Sequence, residues 1–359
     1  MYFFYFFIVS STRRQPMSFK CIKFGVFASM LAFTFGASAQ QQQINVICSV
    51  QQEWCQMIST VYQKTRGVRI NMQTKGSGEA LAQITAERQN PRVDVWFGGT
   101  GDPHLQAAEL DLTEAYTSPK MLDELRLWAI SQHQLSGGKT VGIYMGPLGF
   151  GFNTELLAKK KIPEPTCWSD LVKPIYKGEI QMANPASSGT AYVAIASLVQ
   201  VMGEEKAFDY LKQLHRNISA YPRSGVGPIK AVARGEASVS VSFVHDAPGE
   251  ALQGFPVKAN TPCEGTGFEI GSMSIIKGAK NMDEAKKFYD WALSPAVQEM
   301  GAAAKQFQLP SNKNAKVHPL VPPVNRIKLI PYDFKKYGSS AERRRLIDRW
   351  EKEVNSMPR

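Results

Sequence analysis

Two periods take turns along this chain. Residues 44–49 (INVICS) form a short apolar run of strand type. Residues 52–65 then place Trp54, Met57, Ile58 and Val61 on one face at helical spacing. The alternation repeats, with a strand predicted at 68–72, a helix running to Glu87, and a strand at 93–97 (VDVWF). Helical stretches at 105–110 and 119–129 lead to 142–153 (GIYMGPLGFGFN), which is strand-like and rich in glycine. Residues 179–183 alternate like the end of a strand, Asn184-Pro185 breaks the pattern, and Ser187-Ser188-Gly189-Thr190 opens an apolar helix running toward Met202. Beyond it come helices at 204–214 and 229–234, a strictly alternating strand at 238–244 (SVSVSFV), and a second glycine-containing strand at 265–276 (GTGFEIGSMSII). Helices at 283–292, from 294 onward and at 341–354 complete the pattern; in the last, Leu346, Ile347 and Trp350 can pack on the body. Strands alternating with helices predict an α/β fold.

The loops that join strand to helix carry the candidate chemistry. Ser49 follows the first strand, Lys75-Gly76-Ser77-Gly78-Glu79 the second, and Gly98-Gly99-Thr100-Gly101-Asp102 the third. The first amides of a helix lack internal partners and sit at the positive end of its dipole, so hydroxyls placed beside them make a seat for a phosphate or carboxylate. Any one of these serines, the Ser187-Ser188 pair included, is also what an ordinary N-cap requires. Their recurrence in one strand, loop and helix context is what points to a ligand, because an open α/β sheet gathers its loops beyond the carboxyl ends of its strands. No GxGxxG opens a helix, which excludes the dinucleotide-binding signature. His245-Asp246 ends the strand at 238–244, and Glu269 lies within an apolar crossing segment, where a lone buried carboxylate is costly. Asn153, Ser224 and Gly225 are weaker candidates. His104, His133, His215 and His318 are scattered and read as surface or packing residues.

Composition changes this picture in three ways. Residues 17–39 carry Lys20 and Lys23, an apolar run from Phe24 to Phe35 and the small-residue sequence Ala37-Ser38-Ala39, the pattern of a cleaved secretory signal. Met17 is the expected start, and the apolar run is too short to span a membrane. Cleavage after Ala39 removes Arg13, Arg14, Lys20 and Lys23 but no acid, taking the formal charge from +11 to +7. That mild excess, much of it in the C-terminal third and without interleaved aromatics, argues for a solvated surface and against nucleic-acid binding. Four cysteines remain, Cys48, Cys55, Cys167 and Cys263, an even number that in an exported chain implies two disulfides with three possible pairings. Of these, Cys48–Cys55 joins a strand end to the next helix, and Cys167–Cys263 ties distant parts of one lobe. No zinc-like spacing is present, and neither a cofactor nor a metal is expected.

The stretches Cys48-Ser49 with Trp54-Cys55, Gly76 to Glu79, Gly98 to Asp102, Asn184 to Thr190, His245-Asp246 and Glu264 to Ser272 together resemble the periplasmic solute-binding proteins of ABC importers, in the group that includes ferric-ion binders, and within it the hexose-phosphate-binding members. The resemblance implies a two-lobed periplasmic binding protein fold of type II, each lobe a mixed sheet flanked by helices, closing on a ligand in the cleft between them. It implies a monomeric periplasmic receptor that hands its solute to an inner-membrane permease. The expected organisation is a signal at 1–39, a first lobe from 40–142 and 270–320, a second lobe at 143–269, and a C-terminal segment at 321–359 packing on the body. The glycine-rich segment 142–153 is expected to be the first hinge crossing.

For a sugar phosphate the expected division of labour gives the phosphate to Ser49, Ser77, Gly78, Thr100, Ser187, Ser188, Gly189 and Thr190. The sugar hydroxyls go to His245, Asp246 and Glu269, since a carboxylate accepts from two neighbouring hydroxyls at once. Ferric ion is the alternative cargo, but its binders in this group use adjacent tyrosines, and the chain has no Tyr-Tyr. Another small phosphorylated or phosphonate solute, of the 2-aminoethylphosphonate type, would use the same anion seat. A periplasmic phosphate-ester hydrolase is the rival of a different class; adjacent strand residues His245 and Asp246 would face opposite ways and make a poor acid–base pair.

Overall fold

The computed structural model of the protein describes residues 42–359, Lys120 excepted; the expected signal at 1–39 lies outside them. Eleven strands are present among the described residues: β1 Gln43–Cys48, β2 Arg69–Thr74, β3 Val95–Phe97, β4 Thr113–Glu114, β5 Val141–Asn153, β6 Ile180–Met182, β7 Ile218–Ala220, β8 Val239–Phe243, β9 Val257–Asn260, β10 Phe268–Ile276 and β11 Leu309–Pro310. Their order is β2-β1-β3-β10-β5-β8-β6-β7, with β4 beside β10 and β9 and β11 beside β5. β1, β2 and β3 are parallel, as strand-helix-strand crossovers require, whereas β10 runs antiparallel to both β3 and β5. The result is the two-lobed α/β architecture, with mixed sheets flanked by helices.

β5 belongs to both halves. Its residues up to Pro147 pair with β10 and β11, and from Leu148 onward they pair with β8 and β9. Its side chains divide likewise: Val141, Ile143 and Tyr144 enter a core with Trp54, Phe97 and Phe288, while Leu148, Phe150 and Phe152 enter one with Trp168, Tyr192 and Phe208. The glycines of this strand do a different job from the dihedral freedom expected of a hinge. None of Gly142, Gly146, Gly149 and Gly151 has a positive φ; each leaves room for a neighbour, and a Cβ at Gly146 would fall 2.0 Å from the His245 ring.

The helix expected at 119–129 is broken into Met121–Glu124 and Leu127–Leu135. Leu125 makes an isolated bridge with Asn312, and the Arg126 amide donates to the Ser311 carbonyl, so the chain there is extended by a tertiary contact that helical spacing cannot reveal. The C-terminal helix Ser340–Trp350 buries Leu346 and Trp350 in the second core. Disulfides join Cys48 to Cys55 and Cys167 to Cys263. Among the described residues no helix is long and apolar enough to cross a membrane.

Candidate functional site

A cavity of about 280 Å³ lies between the two lobes. The residues that precede six helices, Gln51, Gly76, Thr100, Ser188, Val226 and Asp246, all line it, so helix N-termini from both lobes converge on one space. Ser49, Ser77, Thr190, Gly189, Ser224, Gly225, His245 and Glu269 complete the expected set on its wall. A larger groove of about 730 Å³ by Tyr62 and Trp291 contains none of these residues, and its Glu284 already accepts from the Tyr62 hydroxyl at 2.6 Å.

One end of the cavity gathers neutral hydroxyl donors, with Lys75 and the Arg223–Glu79 pair also on the wall. Ser49 Oγ accepts from the Trp96 indole at 2.9 Å, and Ser77 Oγ accepts from the Thr100 amide at 3.1 Å, which leaves both hydroxyl protons free to donate. The Thr100 Oγ1 is buried without a partner in the protein. Of these hydroxyls only Ser188 acts as a side-chain cap, accepting from the Ala191 amide at 3.4 Å. Simple capping therefore does not account for the other three.

The other end is acidic and buried. Glu269 on β10 pairs with Gly146 on β5, and the His245 ring lies over that same glycine, which brings imidazole and carboxylate to one spot. His245 Nε2 is 3.6 Å from both Asp246 Oδ1 and Glu269 Oε1. Burial pushes the Asp246 carboxyl up to about 7, with the Glu250 carboxylate adding to the effect. Burial, then the charges of Asp246 and Asp102, hold Glu269 well above the usual carboxylate range, while burial drives His245 down to about 3. The imidazole is therefore neutral, and its 3.6 Å approaches are not ion pairs. His245 and Asp246 sit in the turn after β8, so both reach the cavity; the expectation that they face opposite ways fails because the strand ends at Phe243.

The lobes are closed on this space. Gln51 Nε2 donates to Asp246 Oδ1 at 2.6 Å, the Gly78 amide donates to the Ser187 carbonyl at 3.1 Å, and Arg223 Nε donates to Glu79 Oε1 at 2.7 Å. Glycine makes the approach possible: a Cβ at Gly78 would fall 2.4 Å from the Ala186 carbonyl, and one at Gly189 1.8 Å from Thr100 Oγ1.

Three expected site residues are placed elsewhere. Gly78 spends its amide on the Ser187 carbonyl across the lobes, and the Ser187 hydroxyl donates to the Arg223 carbonyl of its own lobe at 2.9 Å, so neither lines the cavity. Asn153 caps the helix Thr154–Lys160 and donates to the Val232 carbonyl at 3.1 Å. Conversely, the wall includes Gln51, Lys75, Tyr144, Arg223 and Gln308, which the sequence reading passed over. Tyr144 accepts from the Gly99 amide at 2.9 Å and packs where Gly271 leaves space; its place among the glycines of 142–153 was the available signal. Among the described residues the one group of three or more His, Cys, Asp or Glu side chains with ligand atoms mutually within 4.8 Å is Cys167, Cys263 and Glu264, whose sulfurs are bonded to each other.

The model of the bacterial extracellular solute-binding proteins matches residues 104–336. The chain belongs to that family. It is a substrate-binding protein of an ABC importer, not an enzyme, and proteins of this family deliver small molecules to their permeases. An uncharacterized protein of Haemophilus influenzae is 44% identical over 343 residues, covering 94% of this solute-binding protein and 99% of the relative. The solved periplasmic binding protein AfuA of Actinobacillus pleuropneumoniae, with exogenous fructose 6-phosphate bound, is 44% identical with a TM-score of 0.84, covering 88% of this chain and 100% of that one. Iron-bound HitA of Pseudomonas aeruginosa is 18% identical with a TM-score of 0.71 over 86% of this chain and 98% of its own, a likeness of fold alone.

Proposed function

We propose that this protein is a periplasmic receptor for a hexose phosphate, such as glucose 6-phosphate or fructose 6-phosphate, exported with removal of residues 1–39. The observation that carries the reading is the polarity of the cavity: clustered hydroxyls with Lys75 and Arg223 on the wall beside them at one end, the buried acids Asp246 and Glu269 at the other, and helix N-termini converging from both lobes. A hexose phosphate has the same polarity. Its dianion goes to Ser49, Ser77, Thr100, Ser188, Gly189 and Thr190, with Ser224 and Gly225 beside them; its hydroxyls go to His245 Nε2, Asp246 and Glu269. Wherever Asp246 and Glu269 are ionised they repel the phosphate, which favours this direction of the ligand. The sugar phosphate named for the Actinobacillus relative supports the same choice.

Ligand contacts made by both lobes exist only when the lobes are closed, so binding shifts the population toward the closed form. An open form accepts the solute, and the closed one is presented to the permease. Native mass spectrometry of protein purified without denaturation tests the reading. The expected result is a retained adduct with the mass of a hexose phosphate that exchanges with added glucose 6-phosphate. Retention of iron, or no displacement by any sugar phosphate, overturns it.

A further inference from the structure

A second cavity, of about 480 Å³, lies against the acid end of the first. The two share Gln51, Val226 and Asp246 as a common wall. Between them stands the Gln51–Asp246 hydrogen bond, a contact of two side chains from opposite lobes. Side chains turn aside at far less cost than backbone. Gln51 is 7% exposed, and its Oε1 has no partner in the protein; the Oε1 of Gln306, farther along the second cavity, has none either. Buried acceptors left without donors are costly, and a hydroxyl-bearing ligand would satisfy both.

The chemistry of this second chamber differs from that of the anion seat. Two of its cations are matched, Lys230 lying 3.8 Å from Glu53 and Arg234 paired with Glu236 at 2.6 Å. The third, Lys305, shares the walls with the carboxylate of Glu250, so the lining carries no net positive charge beyond these pairs to hold a second phosphate. What the walls offer instead is Gln253, Gln306 and Glu250 for hydroxyls, with the Phe255 ring 36% exposed among them. Amides and a carboxylate beside an aromatic face suit an uncharged sugar ring, whose C–H face packs on the aromatic while its rim is hydrogen bonded. Both lobes contribute, Glu53, Met57 and Gln306 from one and Lys230, Glu250 and Phe255 from the other, so the chamber, like the first, is completed by closure.

We infer that the binding site is bipartite and that its ligands include glycosides of a hexose 6-phosphate, with a second, uncharged sugar ring passing Gln51 and Asp246 into the chamber lined by Phe255. This rests on the hexose-phosphate reading of the first cavity. Calorimetry with glucose 6-phosphate, trehalose 6-phosphate, cellobiose 6'-phosphate and fructose 1,6-bisphosphate tests it, the two disaccharides differing in the hand of their linkage. At least one disaccharide phosphate is expected to bind no more weakly than glucose 6-phosphate, and the bisphosphate to gain nothing. Phe255→Ala should weaken that disaccharide by about tenfold and change glucose 6-phosphate by less than about twofold. Binding of glucose 6-phosphate with rejection of both disaccharides overturns the inference and spares the hexose-phosphate reading. Rejection of all three overturns both. Equal losses for both ligand types in Phe255→Ala also count against it, since they would make Phe255 merely structural.

Discussion

In the proposed receptor the two ends of the cavity solve the problem of binding by opposite means. At the hydroxyl end, Ser49, Ser77, Thr100, Ser188 and Thr190 spread the work over many neutral donors, of which Ser49, Ser77 and Ser188 are already hydrogen bonded within their own lobes. At the acid end, His245, Asp246 and Glu269 concentrate it in three buried groups with few partners. Redundancy makes the first end tolerant and its grip adjustable. Concentration makes the second end selective, because a buried carboxylate whose hydroxyl partners are wrong remains unsatisfied.

The comparison breaks first at Glu269. Glu269→Gln keeps the shape but replaces one acceptor oxygen with a donor, leaving sugar hydroxyls unpaired in a dry site. A loss of about 3 kcal/mol, roughly a hundredfold in glucose 6-phosphate affinity, is expected by calorimetry. Gly78→Ala comes next. It touches neither end, yet its Cβ would meet the Ala186 carbonyl on closing, so about 2 kcal/mol, roughly thirtyfold in affinity, should be lost while the melting temperature of the ligand-free protein stays close to wild type. Ser77→Ala removes one donor among several and should cost about 1 kcal/mol, near fivefold. A hundredfold loss there would mean that the hydroxyl end is not redundant.

The smallest effect is that of pH on the ligand-free protein, because groups at the acid end pull in opposite directions. In the closed form burial raises the Asp246 carboxyl to about 7 and holds Glu269 well above the usual carboxylate range, against about 4 when exposed to water. Those groups take up protons on closing, so their contribution favours the closed form below about pH 4 and is lost as pH rises toward 7. His245, lowered to about 3, does the reverse: its contribution is full above about 6.5 and lost as pH falls. Two carboxyls outweigh one imidazole, and the closed fraction without ligand should fall between pH 5 and 7.5, read as a rising radius of gyration in small-angle scattering. A falling radius would show that the imidazole dominates.

The hydroxyl end was readable in the chain because it is built locally: a strand ends, a small polar loop follows, a helix begins. Even there the reading was good only to about one residue. Ser188 faces the cavity, whereas the Ser187 hydroxyl turns to the Arg223 carbonyl of its own lobe, because the helix starts at Gly189 and a shift of one position turns a side chain to another face. Glu269 was legible through its cost in an apolar strand. Tyr144 and Gln51 were not, since their place depends on Gly271 and Asp246, far away in sequence. The α/β alternation was clear throughout, whereas the break at Arg126 came from a contact with Ser311 that no local pattern encodes.

The central claim, that one end holds phosphate and the other holds sugar, is tested most directly by titrating wild type and the Asp246→Asn/Glu269→Gln double variant with glucose 6-phosphate in a calorimeter. Tight binding to wild type and a loss of more than about a hundredfold in the double variant are predicted. Unchanged affinity in the double variant, with its fold intact by circular dichroism, would contradict the division of labour between the two ends.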